Sequence, residues 1–394
     1  MTRAKDLLTG MQRDDGSFQT FEGTKNELLP WDDLRTTCIV AWGLAVEGSS
    51  PGEVDAALGY IQEHLDLEAD SYTLAMCLNA LMTAAPESEY ATSVLATLVA
   101  RVAEDGPAAY WTTDFPGLTQ SGGDIATVET TAFVAQALFR LDVPHPLAER
   151  ALAYLARHKS PDGNFLTSQG TIQALRAFVQ GAKWQSKATN ATVTVRAGDV
   201  VVATQVIDGK NRDVVHIVSL SEWAQAGDVD VAIEVAGEGT LNYQLASTHY
   251  IPWGAMPRPR GPLLDVAMTW SPSTVAAGGT VSGTVTVTSN GQALGAGDMP
   301  MVHIPIPPGF DVDTAVLGAA LAAGKGIARY ETKDDHLLVY LHGVPEGQTT
   351  VLEETLAYRP RFAMTVTTPV AKTWPFYKPE ETSMSAVEVL TVTP

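Results

Sequence analysis

The sequence predicts a chain that is helical in its first half and built of β-strands in its second half. Apolar residues recur at three-to-four spacing up to about Gly181, and beyond Trp184 they alternate with polar residues at period two. The proline-rich residues 251–262 divide the β-region into a smaller and a larger part. Together these observations predict a multidomain protein: a partial α/α toroid, a small β-domain and a C-terminal β-sandwich.

Eight blocks of helical periodicity fill the first half, and the short loops between them predict four consecutive helical hairpins. Several blocks carry helix-start signals, such as Ser50-Pro51 and Asp70-Ser71. Four blocks are apolar on nearly all sides and alternate with blocks that keep a charged face, a pattern typical of inner and outer helices in a two-layer ring. The predicted helices are Ala4–Met11, Asp32–Glu47, Gly52–His64, Ser71–Thr83, Glu89–Val102, Ala126–Leu141, Pro146–His158 and Thr167–Val179.

The β-region begins with residues 191–207, 229–237 and 239–251, which alternate or are rich in β-formers. After residue 262, about eight short runs separated by Gly, Asn and Pro predict a sandwich, with one alanine-rich helical insertion at Asp313–Ala323. The predicted domains are therefore 1–183, 184–258 and 262–394, with a linker at 259–261.

Composition limits the classes of partner. The chain has 394 residues, of which 45% are hydrophobic and 18% are charged, and its formal net charge is −20. Nucleic-acid binding needs clustered Lys and Arg, so this charge argues against a nucleic-acid partner and against an anionic membrane surface. No apolar run approaches the ~20 residues that span a bilayer, so we expect no direct membrane insertion.

No catalytic or metal-binding pattern is present. Cys38 and Cys77 lie in apolar helical blocks, where cysteine usually serves as a small buried hydrophobe, and whether they pair stays open. The eight histidines are scattered without metal-ligand spacing, and no phosphate loop, dinucleotide motif or G-x-S-x-G elbow occurs. The sequence therefore predicts no cofactor, no metal and no enzymatic group.

A short motif, DG(S/N)F, occurs twice, each time between an outer and an inner helix. Its aspartate can hydrogen-bond nearby backbone, its glycine can take a positive φ, and its phenylalanine can fill the apolar layer between hairpins. This favours a structural turn over a pair of catalytic acids. The residues are Asp15, Gly16 and Phe18 in the first copy, and Asp162, Gly163 and Phe165 in the second.

Two other functions stay open at this point. Similar turns occur in terpenoid-cyclase-like toroids, an enzyme class that needs an acid in an aromatic-lined cavity. The acid pair in "WDDL" (Trp31–Leu34) is the nearby candidate, although it lies at a helix start, where Asp is a common cap. A structural or adhesive surface protein would share the predicted sandwich.

Four segments, in order, resemble the C-terminal part of the alpha-2-macroglobulin and complement family. The stretch "DGNFLTSQGTIQALRAFVQG" resembles the last hairpin of its thioester domain. The stretch "GTLNYQLASTHYIPW" resembles the closing strands of the small β-domain, the second part of a CUB-like domain. The stretches "MVHIPIPPGF" and "KTWPFYKPEE" resemble strands of the C-terminal receptor-binding-type sandwich. The likeness covers essentially the whole chain.

The resemblance implies a broad-spectrum protease inhibitor rather than an enzyme. In this family, bait cleavage triggers a conformational change, and a thioester formed by a Cys-Gly-Glu-Gln motif captures the protease. Neither Cys38, followed by Ile-Val-Ala-Trp, nor Cys77, followed by Leu-Asn-Ala-Leu, belongs to such a motif. Because the family toroid has six hairpins and four are predicted here, we expect a C-terminal piece of a larger, bacterial-type protein.

Partners and location follow from the same resemblance. Target proteases, met through the full-length parent, and the N-terminal macroglobulin domains of that parent are the expected partners, in the periplasm or outside the cell. The missing hairpins would leave inner-helix faces uncovered, so we expect self-association or binding of the missing segment. In family members that an endocytic receptor clears, a helix of the last domain docks to the receptor through lysines. We do not expect such clearance here, because the helix at Asp313–Ala323 has no lysine and Lys325 lies just past its end.

The resemblance also gives Asn26 a meaning. Complement-type members keep a histidine ten residues beyond the glycine of this turn, where it redirects the acyl group to hydroxyls as a nucleophilic catalyst. Counting ten from Gly16 leads to Asn26, and no histidine lies between Gln12 and Thr37. The resemblance therefore implies the macroglobulin subclass, in which protease amines attack the thioester directly.

Overall fold

Helices form the first half of the molecule and β-sheets the second, as the change of period predicts. The computed structural model describes residues 2–19, 32–48, 50–117, 122–143, 145–160, 163–165, 167–185, 190–211, 214–223, 228–239, 241, 243–295 and 298–394.

A helix is present at each of the eight predicted positions. They are α1 (Thr2–Thr9), α2 (Asp33–Glu47), α3 (Pro51–His64), α4 (Ser71–Ala84), α5 (Glu89–Ala100), α6 (Gly123–Leu138), α7 (Leu147–Arg157) and α8 (Ser168–Gln185). Two start signals are visible as caps. Pro51 occupies the first turn of α3, and the Asp70 side chain accepts a hydrogen bond from the Thr73 amide at the start of α4.

The end of α8 differs from the prediction at Val179. The helix continues through Gly181 to Gln185, so the glycine is not a stop signal. A Cβ at Gly181 would lie 2.6 Å from Leu152 Cδ1 and 3.1 Å from Phe139 Cζ. The residue is therefore small because α8 packs closely against α7 at this point, a tertiary reason that local sequence does not carry.

Burial separates the helices into two layers. In α4 every residue from Ser71 to Met82 is buried, and α6 is buried from Ile125 to its end. The outer helix α7 buries one face, which includes Ala148, Leu152 and Leu155, and keeps charged residues on the other. A helix buried on all sides has neighbours on all sides, so α4 and α6 are inner helices of the ring.

A disulfide bond joins Cys38 of α2 to Cys77 of α4. Both residues are fully buried, and the two inner helices pack against each other. The question that the sequence left open is answered by this contact: the cysteines are a covalent cross-link between neighbouring inner helices and not only small hydrophobes.

A short hairpin between α5 and α6 was not predicted. It consists of β1 (Ala103–Asp105) and β2 (Ala108–Tyr110), which pair antiparallel around Gly106, whose φ is 55°. Three-residue strands are too short to show a period of two, so the sequence pattern has no signal for them.

The first large β-element is a three-stranded antiparallel sheet with strand order β4-β3-β5. Its strands are β3 (Asn190–Ala197), β4 (Val200–Ile207) and β5 (Val231–Glu238). The strand expected at 239–251 was wrong, since none of the described residues there is in a strand. β-formers favour an extended chain, but a strand also needs a neighbour to receive its hydrogen bonds, and no described strand pairs with this segment.

The remaining strands form the predicted sandwich. One sheet has the order β10-β13-β8-β6, a second has the order β11-β12-β9-β15-β16, and a smaller third has the order β14-β17-β7. The strands are β6 (Leu264–Ser271), β7 (Thr274–Ala276), β8 (Val281–Ser289), β9 (Pro300–Pro305), β10 (Phe310–Asp313), β11 (Ile327–Thr332), β12 (His336–Leu341), β13 (Thr350–Pro360), β14 (Met364–Thr367), β15 (Lys372–Pro375), β16 (Ser383–Met384) and β17 (Val389–Thr393).

The two larger sheets share one hydrophobic core. Val285 and Leu356 contribute to it from the first sheet, and Val302 and Val339 from the second. The helical insertion is present as α9 (Ala315–Ala322), which packs against β11 and β13. The strands turn one apolar face to this core, which explains why the period-two alternation predicted a sandwich in this part of the chain.

The structure groups the chain into two compact units. Residues 2–19, 33–113 and 127–246 belong to the first, so the three-stranded sheet is counted with the helices. Residues 247–394 form most of the second unit, which also takes in residues 114–117 and 122–126. The further division of the first unit at residue 183 stays a prediction.

The cross-link between α2 and α4 provides a test of the fold. Replacing Cys38 and Cys77 together by alanine should lower the free energy of unfolding by roughly 2–4 kcal/mol, because a closed loop with a sequence separation of 39 is lost from the unfolded chain. Urea unfolding followed by circular dichroism measures the change. Reductant should destabilise the wild type and leave the double variant unchanged. Two free thiols titrated in the unfolded, unreduced wild type would contradict the cross-link.

Candidate functional site

The first DG(S/N)F copy forms a tight turn between α1 and α2. One carboxylate oxygen of Asp15 accepts hydrogen bonds from the Ser17 amide at 2.9 Å and the Ser17 hydroxyl at 2.7 Å. These bonds lower the pKa of Asp15 below its ordinary value, the hydroxyl contributing most. Gly16 has a φ of 86°, and a Cβ there would lie only 2.2 Å from the backbone oxygen of Ala56. The carboxylate is thus committed to its own turn.

The second copy repeats the first in its backbone. Gly163 has a φ of 85°, close to that of Gly16, while Asp162 lies outside the described residues. Two backbone hydrogen bonds of 2.9 Å close each loop, one donated by the glycine N–H and one that crosses the loop. They run from Gly16 N to Arg13 O and from Arg13 N to Ser17 O in the first copy, and from Gly163 N to Ser160 O and from Ser160 N to Asn164 O in the second.

Each turn is tied to the inner helix that follows it by one contact, which we call the aromatic–threonine joint. A buried aromatic residue before the helix donates its backbone N–H to a threonine hydroxyl on the helix. The same joint occurs a third time after the β1–β2 hairpin, where the aromatic residue stands at a different offset from the glycine. The joints are Phe18 to Thr37 of α2 (2.9 Å), Trp111 to Thr131 of α6 (3.2 Å) and Phe165 to Thr171 of α8 (2.9 Å).

The acids near the inner helices are also engaged in structure. Glu129 of α6 is fully buried, and its two carboxyl oxygens accept hydrogen bonds from the Tyr72 hydroxyl at 3.1 Å and the Thr167 hydroxyl at 3.2 Å. In "WDDL", Asp33 begins α2 and forms an ion pair with Arg13, and Trp31 lies outside the described residues. Glu129 and Asp33 are therefore both engaged in contacts within the fold.

Metal and membrane sites are not seen in the described part of the chain. No group of three or more His, Cys, Asp or Glu residues there has an arrangement able to hold a metal ion. Within the same residues, no helix combines the length and the apolar character needed to cross a bilayer.

Two apolar surfaces of the helical unit are open. On α8, Ile172, Leu175 and Val179 follow one another at helical spacing and are 46%, 49% and 53% exposed. Between α1 and α2, an apolar groove is lined by residues that include Leu8 and Val40. Inner helices otherwise bury such side chains, and no described residue covers these two surfaces, so both have the character of an interface.

One strongly shifted pKa in the second unit belongs to His303 of β9. Its ring stacks on that of His336 with the centroids 4.3 Å apart, and its buried Nδ1 has no hydrogen-bond partner among the described residues. Burial lowers its pKa to about 4, and the neighbouring charges of His336 and Lys372 act in the same direction. Asp335 Oδ1 lies 2.6 Å from Nδ1 of His336.

The comparison with family models identifies the helical part. Residues 1–180 match the model of the A-macroglobulin TED domain. This part of the chain is therefore similar to the A-macroglobulin TED domain. The comparison with curated proteins returns no match.

Solved bacterial alpha-2-macroglobulins share the fold of the whole chain. The Salmonella protein reacted with methylamine is 15% identical, with a TM-score of 0.59. Native Escherichia coli alpha-2-macroglobulin from domain MG7 to the C-terminus is 14% identical, with a TM-score of 0.57. Both alignments cover 100% of this chain, which spans 24% of the first protein and 59% of the second.

The resemblance to the C-terminal region of bacterial alpha-2-macroglobulins is thereby confirmed, in order along the chain. The predicted site residues have different outcomes. Asp15, Gly16 and Phe18 come together in one turn, and Gly163 and Phe165 in another, but their role as structural turns stays a prediction. Asn26 lies outside the described residues. The third joint and Glu129 were missed, although threonines in apolar helices were a visible signal.

The two glycines of the turns give a matched test of the structural role. Gly16→Ala should cost more stability than Gly163→Ala, because the added Cβ meets backbone at 2.2 Å in the first case and only Lys159 Cε at 3.6 Å in the second. Both share the cost of a positive φ, about 1–2 kcal/mol. Thermal and urea unfolding of the two variants measure the difference. Equal losses would show that the contact with Ala56 does not constrain this turn.

The buried histidine predicts a pH-dependent stability. An unfolded His303 binds a proton near its ordinary pKa of 6.5, whereas the folded residue does so only near 4. The folded state should therefore lose roughly 2–3 kcal/mol as the pH falls from 6.5 to 4. Urea unfolding across this range should show the loss in the wild type and a weaker one in His303→Leu. Replacement of the exposed His342 by glutamine should leave the loss unchanged, and a similar reduction in both variants would contradict the assignment.

Proposed function

We propose that this chain is the C-terminal part of an alpha-2-macroglobulin-like broad-spectrum inhibitor that entraps proteases. The observation that carries the proposal is the joint match: residues 1–180 fit the TED model, and the alignment with E. coli alpha-2-macroglobulin covers 100% of the chain. The surface acid Asp15 and the buried acid Glu129 both hold hydrogen bonds within the fold, which supports a scaffold rather than an enzyme.

In this proposal the chain supplies the framework and not the reactive group. A thioester requires a free cysteine thiol as its precursor, but Cys38 and Cys77 are bonded to each other in the buried interior. Covalent capture of a protease then depends on a Cys-Gly-Glu-Gln motif elsewhere in the parent protein. The disulfide supports a periplasmic or extracellular location, where such bonds persist.

The expected partners within the parent are its N-terminal macroglobulin domains. The β-forming segment 239–251 lacks a strand partner among the described residues, and it exposes large side chains, with Tyr243 72% and Tyr250 96% accessible. Such a segment is suited to complete a β-domain with a strand supplied by another part of the parent. We propose this segment and the open surfaces of α1, α2 and α8 as the surfaces that those domains cover.

The proposal is tested with the coding sequence upstream of Met1. A Cys-Gly-Glu-Gln motif is expected there, and the longer product should form a covalent, denaturant-resistant adduct with trypsin. Trypsin that the inhibitor encloses should lose activity on casein and keep activity on a small chromogenic amide, because only the large substrate is excluded from its active site. The 394-residue chain alone should do neither. Absence of the motif together with unchanged casein cleavage would overturn the proposal.

The same longer product tests the role that we propose for Asn26. With asparagine at this position, the activated thioester should react with methylamine in preference to glycerol. Asn26→His should raise transfer to glycerol severalfold, since a correctly placed imidazole forms an acyl intermediate that hydroxyls can attack. Lys25→His is the matched control for register and should leave the ratio unchanged. Preferred transfer to glycerol in the unsubstituted protein would contradict the assignment.

A further inference from the structure

Two arginine side chains lie against one tryptophan among the inner helices. Trp42 belongs to α2, Arg176 to α8, and Arg140 lies in the turn after α6, which ends at Leu138. The guanidinium carbons of Arg140 and Arg176 are 5.9 Å and 5.8 Å from the centre of the Trp42 ring. An indole face stabilises a cation within about 6 Å, so the ring holds two positive charges from two different helices. We call these three residues the Arg–Trp–Arg cluster.

The two charges are not neutralised within the described part of the chain. No carboxylate there forms an ion pair with Arg140 or Arg176, whereas on the outer helix α7, Arg150 and Arg157 bind Glu104 and Asp105. Burial lowers the pKa of Arg140, and the charge of Arg176 lowers it further. The two like charges repel each other, and a bound anion would offset this repulsion.

The cluster also contains an unsatisfied donor. Trp42 is 4% exposed, and its indole Nε1 is buried without a hydrogen-bond partner among the described residues. A buried N–H without an acceptor costs about 1–3 kcal/mol, so such groups are uncommon unless a ligand or water completes them. The indole N–H needs a hydrogen-bond acceptor, and the two guanidinium groups need acceptors as well.

The frame around the cluster is preorganised. Asn79 of α4 donates its Nδ2 to the backbone oxygens of Ala75 at 2.9 Å and Phe133 at 2.8 Å, which fixes the amide. Its Oδ1 then receives Arg140 Nε at 3.5 Å, so the arginine is oriented by a neutral group that leaves its charge uncompensated. Arg176 is exposed, so an ion from solvent reaches the cluster from its side.

We propose that Arg140, Arg176 and the indole N–H of Trp42 form a binding site for a small dianion with several acceptor oxygens. Guanidinium forks match the geometry of phosphate and of carboxylate pairs, and two of them match a double negative charge. Inorganic phosphate and a short dicarboxylate such as malonate share this chemistry. The bound ion joins residues of α2, α8 and the turn after α6, and it therefore stabilises this part of the fold in proportion to its occupancy.

The test uses the full chain with ¹⁵N-labelled indole groups. Phosphate or malonate is titrated while sodium chloride keeps the ionic strength constant, and the Trp42 indole resonance is assigned from its absence in Trp42→Phe. A saturable shift of this resonance and a parallel rise in melting temperature are expected. The ion that binds more tightly identifies which of the two sources the site prefers.

Variants decide whether the cluster is responsible. Arg176→Gln should weaken binding at least tenfold, and because this side chain is exposed the fold should be kept. Arg140→Gln should have the same effect, and Trp42→Phe, which keeps the ring but removes the N–H, should weaken binding in the melting-temperature assay. Arg157→Gln on α7 is the matched control and should bind like the wild type.

The outcomes that overturn the site are specific. A shift that does not saturate, or one that sodium chloride alone reproduces, shows general ionic screening. Binding to Arg176→Gln with wild-type affinity shows that the cluster does not hold the ion. Neither result bears on the inhibitor proposal, which depends on the TED match and the upstream motif rather than on these residues.

Discussion

The helical unit depends on one constraint: a helix that is surrounded by protein on all sides must satisfy its polar side chains through its neighbours. Asn79 of α4 reaches a backbone oxygen of α6, Gln136 of α6 reaches Gln173 of α8, and Glu129 receives hydroxyls from Tyr72 and Thr167. An unsatisfied group in such a place costs about 1–3 kcal/mol, so these contacts define the register of adjacent helices.

The aromatic–threonine joints apply the same constraint to the turns. Burial would leave the backbone N–H of each aromatic residue without a hydrogen-bond acceptor, and a threonine hydroxyl of the next inner helix supplies the acceptor.

Local patterns predicted the parts of the fold that local physics determines. All eight helices and about eight strands of the sandwich follow from apolar spacing, because burying one face or all faces leaves a period in the sequence. The short strands β7, β10, β15 and β16 were not predicted by this spacing. The failures share a different cause. Gly181 resembles a stop signal but is a contact with Leu152, and residues 239–251 have the composition of a strand but no neighbouring strand. In both cases the deciding atom lies far away along the chain, and one sequence without relatives does not report it.

The candidate sites divide in the same way. The turn at Asp15, Gly16 and Phe18 was found because its chemistry is contained in a few consecutive residues, whose turn-forming preferences are local. The Arg–Trp–Arg cluster escaped notice because its members come from two helices and a turn that are distant in sequence, and each looks ordinary in its own segment. The cysteine pair is intermediate: both residues were placed correctly in buried helices, but pairing depends on the rotation of α2 against α4. The sequence shows the type of each residue, but it does not show which distant residues meet in the folded protein.

The cross-link between α2 and α4 has a mechanical consequence. A force applied to the two ends of the helical unit passes through the sulfur atoms and bypasses the chain between Cys38 and Cys77. That segment, with a sequence separation of 39, corresponds to roughly 130 Å of fully extended chain that tension cannot draw out. The outer helix α3 lies within this loop and is shielded from load even when its neighbours are pulled apart. Part of the length of the helical domain is thereby withheld from extension, and the helices that the disulfide joins are loaded as one body.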